Sequence, residues 1–291
     1  MIDYSPPLYR PPSEAYSLIF QSTLGCSHNG CAFCYMYKNR KFSIRDRDAL
    51  FSEIDEMSLS CPDTRRIFLA DGDSMVLSAK RLEEILDRLS AAFPALQRVT
   101  AYANPSNLLD KSVKDLRALR EKKLSILYYG VETGDAELLA KINKGATPDE
   151  MVEGCRKATE AGLKLSVTVI LGLGGRKGSM RHARSTADLL NRIGPRYLSA
   201  LTLMLGEHGD EYASRMGKGF EFNSPEGDVR ELREIVSRLT VDRCIFRSNH
   251  ASNYLALAGT LIKDRERLLA QIDLALESPG DSFRPEWSRG L

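Results

Sequence analysis

The sequence predicts an α/β protein: a parallel sheet curled into an incomplete (βα)6 barrel, followed by a helical C-terminal extension. Three observations carry this. Short apolar runs rich in β-branched or aromatic residues alternate with longer amphipathic ones. Serial strand–helix alternation implies parallel strands joined by right-handed crossovers. Six such units fall short of the eight that close a barrel. No Pro-, Ser- or Gly-rich linker divides them. Residues 15–209 therefore read as one domain, residues 1–14 as an N-terminal extension, and residues 210–291 as a helical and loop extension capping the barrel.

The strands are expected at Ser17–Ser22, Arg66–Ala70, Arg98–Tyr102, Ser125–Gly130, Lys164–Leu171 and Tyr197–Met204, each bounded by Gly, Asp, Asn or Pro. Helices are expected over Arg47–Leu59, Ser78–Ala92, Lys111–Lys122, Asp135–Asn143, Pro148–Ala161 and Ser179–Ile193. In the second of these, Leu82, Ile85, Leu86 and Leu89 recur at the spacing of a buried helical face, with Ser78 as N-cap. Pro148 followed by Asp149 and Glu150 opens another helix, and Gly162 sits where its C-cap is wanted. Beyond the barrel, helices are expected at Asp228–Leu239 and Lys263–Glu277, with the tail Ser278–Leu291 frayed.

Charge and composition exclude more than they reveal. The 291 residues carry 41 Lys and Arg against 39 Asp and Glu, a net charge of +2. Such a balance projects no long-range positive field, so nucleic acid is not an expected partner. Hydrophobic content of 43% is too high for a disordered chain. The N-terminal residues lack a basic head followed by an apolar run, and no stretch is long enough to cross a bilayer. A cytoplasmic protein without a membrane partner is the expectation, and there thiols stay reduced.

Of six cysteines, Cys26, Cys31 and Cys34 fall within nine residues, on a segment that follows the first strand and holds Gly25 and Gly30. Three thiolates spaced this way can turn toward one centre. Three soft ligands without an obvious fourth point to an iron–sulfur cluster with one iron open to another molecule. A Cys3His zinc site using His28 is the alternative, though His28 lies between the first two cysteines and closes a tight ring. Cys61, Cys155 and Cys244 stand singly and read as small core hydrophobes.

This segment resembles the radical S-adenosylmethionine (SAM) superfamily, in a variant with four residues in the first gap and two in the second. Phe33 precedes Cys34, as an aromatic residue does in the family signature. Four further segments resemble the family in order, each at a strand end. Asp71-Gly72-Asp73 is similar to its Gly-Gly-Glu-type turn, which implies that Gly72 and Asp73 hold the amino group of SAM. Gly130-Val131-Glu132-Thr133 is similar to a turn of the branch containing oxygen-independent coproporphyrinogen oxidases and methylthiotransferases. That implies a SAM contact for Glu132 and a basic residue about ten positions on, for which Lys141 is the candidate; Lys141 and Lys144 otherwise read as solvated helix charges. Ser166–Gly175 resembles the segment that packs on adenine, implicating Thr168, Ile170 and Gly172, and Met204 falls where the sixth strand adds an apolar contact.

The resemblance implies a partial TIM barrel and two cofactors, a [4Fe-4S] cluster and SAM. It implies reductive cleavage of SAM to a 5′-deoxyadenosyl radical that takes hydrogen from a substrate, with an electron donor such as flavodoxin or ferredoxin as partner. The substrate is expected to be a small molecule. Arg243–Tyr254 is dense in polar side chains, from which His250 and Asn249 are the candidate catalytic residues; His208 is a further proton-donor candidate. Arg176, Lys177, Arg181, His182 and Arg184 read as a solvated helix start. The alternative function is a carrier or haem chaperone that binds cluster and SAM without radical turnover.

Overall fold

The computed structural model describes residues 4–290. The chain divides into two compact units, Met1–Asn29 with Cys34–Tyr129 and Glu153–Leu165, and Gly30–Phe33 with Gly130–Val152 and Ser166–Leu291. The strands pair mostly in parallel, apart from a separate two-stranded ribbon.

The first unit opens with β1 (Leu18–Gln21), which runs at once into the ribbon of β2 (Thr23–Leu24) and β3 (Ser43–Ile44). Antiparallel pairing of Thr23 with Ile44 and Leu24 with Ser43 closes the loop that carries the clustered cysteines. Then follow α1 (Arg47–Ser60), β4 (Arg66–Ala70), α2 (Ala79–Ala92), β5 (Arg98–Ala103), α3 (Pro105–Asp110), α4 (Val113–Glu121) and β6 (Leu124–Glu132). Leu18 pairs with Ile67, Ile67 with Val99, and Thr100 with Ile126, all parallel. Ser78 caps α2 by accepting from Arg81 N at 3.2 Å. The face of α2 made by Leu82, Ile85, Leu86 and Leu89 is wholly buried, about 1.5–3 kcal/mol of burial for each side chain.

The second unit contains α5 (Ala136–Lys141), β7 (Lys164–Leu171), α7 (Gly175–Ile193), β8 (Tyr197–Thr202), α8 (Gly209–Met216) and α9 (Pro225–Arg238). It continues with β9 (Cys244–Arg247), β10 (Ala258–Leu261), α10 (Arg265–Glu277) and α11 (Pro279–Ser282). The remaining helix, α6 (Pro148–Glu160), lies partly in each unit, as do β6, whose last three residues belong to the second, and β7, whose first two belong to the first. Parallel pairing joins β7 to β8 and β8 to β9, and β10 turns back antiparallel on β9.

The C-terminal extension is therefore not purely helical. Arg243–Tyr254, which the sequence marks only as a run dense in polar side chains, contains near its start a strand whose Cys244 and Phe246 are buried while Arg247 is exposed. Only four residues long, it offers too little alternation to stand out from a polar run. Nor are residues 278–290 of the tail frayed; Leu291 lies outside the described residues. Arg289 stacks on the Tyr254 ring at 3.9 Å and donates to Ser252 O at 2.7 Å; a planar cation over an aromatic face holds the end of the chain down.

Candidate functional site

In the first unit the site is built around the loop between β2 and β3. Asp71, the first residue after β4, is fully buried and gathers three donors: Gly25 N at 3.3 Å, Gln21 Nε2 at 3.0 Å and Tyr37 Oη at 3.0 Å. Burial pushes its carboxyl upward, against the pull of those hydrogen bonds. The Tyr37 phenol is driven well above its ordinary value of 10, by burial first and then by the Asp71 carboxylate. Asp71 thus fixes both ends of the cysteine loop to β1. Sequence reading passed over it because a lone Asp after a strand looks like any turn residue.

Gly72 and Asp73 follow directly. A Cβ on Gly72 would meet the Tyr37 ring at 2.6 Å and the Cys26 Cβ at 3.3 Å, so only glycine permits this approach. Asp73 is fully buried and takes a hydrogen bond from the Ser27 hydroxyl, next to Cys26 in the chain. Its Oδ1 has no partner in good hydrogen-bond geometry, although the Asn104 and Asn107 amides lie near enough to favour the charged form. Burial dominates and raises the carboxyl. Asn104 Nδ2 approaches the Cys26 sulfur at 3.6 Å, and Lys111, itself buried, donates to Met75 O at 2.6 Å. Desolvation lowers the ammonium, with Asp73 opposing it.

In the second unit, the segment bearing Cys31 and Phe33 is tied to the residues that follow α5. Ala32 N donates to Ile142 O at 2.8 Å, and Asn143 Nδ2 to Gly30 O at 3.0 Å. One residue on, Lys144 is buried and pairs with Glu132 at 2.8 Å; its Nζ also lies 5.9 Å from the Phe33 ring centroid. Glu132 is buried too, at φ 64°. Gly130, two residues before Glu132, leaves the space this pair needs, since a Cβ there would sit 2.0 Å from Glu132 Oε1. Lys141 is exposed, with its carbonyl accepting from Arg215 at 2.8 Å, and it is Lys144, not a solvated charge, that faces Glu132.

Behind Glu132, the turn is clamped to α7. Gly134 N donates to Thr186 Oγ1 at 3.0 Å, and Thr133 Oγ1 lies 2.7 Å from His182 Nδ1. His182 is fully buried, unlike the solvated charge that the basic run around it predicts. Its neighbours follow that prediction: Arg176, Arg181 and Arg184 pair at the surface with Glu221, Glu137 and Glu234.

Along β7, Thr168 and Ile170 share the less buried face while Val167, Val169 and Leu171 face the core, as the two-residue period of a strand requires. Gly172 stands at φ 84°; its N–H donates to Glu231 Oε1 at 2.8 Å, and a Cβ would lie 2.9 Å from Asp228 Oδ1. Burial, then the nearby Glu231, pushes the Asp228 carboxyl up to about 7. Met204 is half-buried beyond β8. Of the C-terminal candidates, Asn249 is exposed, and His250 is half-buried with Nδ1 2.9 Å from Ser252 Oγ. Burial and then Arg284 hold that imidazole below its usual value. His208 lies at the surface beside Glu207 and Glu211.

A family model of the radical SAM superfamily matches residues 20–190, more than half of the chain. The chain belongs to the radical SAM superfamily. Two curated relatives are the heme chaperone HemW of Bacillus subtilis, 24% identical over 176 residues (60% of this chain, 46% of that protein), and HemW of Lactococcus lactis, 25% identical over 208 residues (69% and 51%). The chain spans about half the length of these relatives. Among solved structures, coproporphyrinogen III oxidase of Escherichia coli, a radical SAM enzyme, superposes with a TM-score of 0.57 at 16% identity, over 76% of this chain and 51% of that one. That likeness bears out the fold class, an α/β sheet of the TIM-barrel type found in radical SAM proteins. No helix among the described residues is long and apolar enough to cross a membrane.

Structural neighbours in the superfamily bind a [4Fe-4S] cluster and SAM. The residues present fit both. Cys26, Cys31 and Cys34 are unbridged and half-exposed, three soft donors on one loop. The buried, unpartnered Asp73 Oδ1 and the close-approach Gly72 suit an ammonium group. Among the described residues, no group of three His, Cys, Asp or Glu side chains is drawn together for a metal ion. The ligand roles therefore rest on donor chemistry and spacing.

Proposed function

We propose that this chain is a radical SAM enzyme whose cluster is held by Cys26, Cys31 and Cys34 and whose substrate is a small molecule. The observation that carries the reading is the close approach of Gly72 to Cys26, with the buried Asp73 bonded to Ser27 beside it: an acceptor suited to the SAM amino group follows in the chain the residue that touches a proposed cluster ligand. Bound together, the two cofactors supply one-electron reductive cleavage of SAM, the chemistry that begins hydrogen abstraction.

The chain's own residues bind and orient. Asp73 offers Oδ1 to the ammonium. Lys144, held between Glu132 and the Phe33 ring, presents its charge to the SAM carboxylate while Glu132 takes a hydroxyl or ammonium donor. Thr168, Ile170, Gly172 and Met204 receive the nucleoside. An external one-electron donor, of the flavodoxin or ferredoxin kind, would be the partner that supplies the electron. Anaerobic reconstitution, iron and sulfide analysis, and a dithionite assay test the reading: about four irons per chain and SAM-dependent 5′-deoxyadenosine are expected, and loaded protein that releases none refutes it.

A second reading, a haem carrier, is favoured by the names of the two curated relatives. Stoichiometric haem binding by loaded protein without deoxyadenosine release would select it.

A further inference from the structure

Glu231 lies on α9, beyond residues 20–190, and is fully buried. Its Oε1 accepts from Gly172 N at 2.8 Å and its Oε2 from the Ser179 hydroxyl at 2.6 Å. His182 Nε2 stands 3.2 Å from Oε1. The approach is off-line for a hydrogen bond, so it is best described as a close electrostatic contact. The other face of that imidazole meets Thr133, the residue after Glu132, at 2.7 Å. One buried carboxylate therefore touches the Gly172 turn directly and reaches the Glu132 turn through a single side chain.

We infer that Glu231 is a positioning residue that locks these two turns in register, so that both can meet one SAM molecule. The physical basis is the expense of leaving a carboxylate dry. Leaving the oxygens of a fully buried carboxylate without donors is costly, so the N–H of Gly172 and the hydroxyl of Ser179 are held where Glu231 holds them, with the imidazole of His182 packed beside it. Gly172 contributes a backbone at φ 84°, which has little stiffness of its own. Thr133 is restrained in turn, since its hydroxyl also accepts from Asp135 N at 3.0 Å. The wiring runs from a C-terminal helix into two separate strand ends, so a part of the chain outside the family match sets geometry inside it.

The inference rests on the SAM site proposed above, and its test keeps the two apart. SAM binding is measured anaerobically by equilibrium dialysis on the reconstituted full chain with the cluster oxidised, so that no turnover occurs. The iron content, the circular dichroism and the change in the reduced cluster's paramagnetic resonance spectrum on adding SAM are recorded alongside. Glu231→Leu is expected to weaken SAM binding at least about tenfold, the effect of breaking a buried charge-assisted hydrogen bond, with iron content and helicity intact. Glu231→Gln, which keeps the shape and one acceptor, recovers part of that loss and serves should the leucine variant fail to fold. His182→Phe weakens binding less, and combined with Glu231→Leu adds little, because both act through one contact. A merely structural Glu231 would lower thermal stability and leave the affinity and the spectral change of the folded protein unaltered; that result overturns the inference alone. Wild-type loaded protein that does not bind SAM overturns the proposed function and the inference with it.

Discussion

Asp228 makes the sharpest demand on measurement. Its side chain is 6% exposed, its Oδ1 has no hydrogen-bond partner, and its carboxyl is pushed from 3.8 up to about 7. The groups that act on it come from four directions: Glu231 one turn along α9, His182 from α7, Asn223 before α9 and Arg289 from the tail. A carboxyl raised in the folded state contributes stability that is complete below about pH 4, where both states are protonated, and is lost as the pH climbs through about 7. The rise from 3.8 to about 7 corresponds to about 4 kcal/mol at full ionisation. About 3 kcal/mol of that falls between about pH 5 and pH 8. Asp228→Asn abolishes the titration while keeping the shape. Urea unfolding of both proteins at several pH values then gives a difference in which the contributions of other groups cancel to first order. The variant should gain on the wild type by about 3 kcal/mol as pH rises over that interval. A difference that stays flat, or falls with pH, would show that Asp228 is ionised and solvated in the folded protein, and the burial argument would be wrong.

Four further outcomes follow from the structure. Cys26→Ser, Cys31→Ser and Cys34→Ser should each lose most of the iron on reconstitution, while Cys61→Ser keeps it. Cys155 and Cys244, both pushed up to about 12 by burial, should resist iodoacetamide at neutral pH in the native protein, as mass spectrometry can show. Lys144→Ala should weaken SAM binding about tenfold, as expected for a buried charge partner, whereas Lys141→Ala leaves it unchanged; equal effects in dialysis would undo the assignment. Gly130→Ala forces a methyl group to 2.0 Å from Glu132 Oε1. It should cost about 1–3 kcal/mol in urea unfolding and lower SAM affinity as well; a neutral result would mean that the Glu132–Lys144 pair is free to move.

The sheet was readable because its strands advertise themselves. Arg66–Ala70 and Lys164–Leu171 lie where their apolar, β-branched runs place them, since a buried parallel strand must be apolar along its length. The cysteine loop and the ordered turns were readable because short-range spacing carries their chemistry. Long-range burial was not. Lys141 and Lys144 look alike in sequence, three residues apart near the end of one helix. What separates them is that Lys144 is turned inward to Glu132, twelve residues earlier in the chain. His182 sits among arginines and borrowed their surface character until packing showed that its neighbours point out and it points in.

Glu231 and Asp228 were the least accessible of all. Placed three apart on an amphipathic helix opened by Pro225, they are indistinguishable from the exposed acids Glu207 and Glu211 by composition or position. Their burial is decided elsewhere. A glycine at φ 84° leaves the room that Asp228 Oδ1 occupies, and that glycine's N–H, with Ser179 and His182, supplies the partners that Glu231 needs in a dry setting. A buried acid therefore reads as polar surface until the element that answers it is known, and here the answer comes from β7 and α7, more than forty residues earlier in the chain. The same dependence gives the C-terminal helix its leverage. Because Glu231 is satisfied by the Gly172 N–H and the Ser179 hydroxyl, and Asp228 packs against that same glycine, a change in how α9 packs reaches a turn proposed to meet SAM, and variants on α9 that never touch a ligand should still alter its binding.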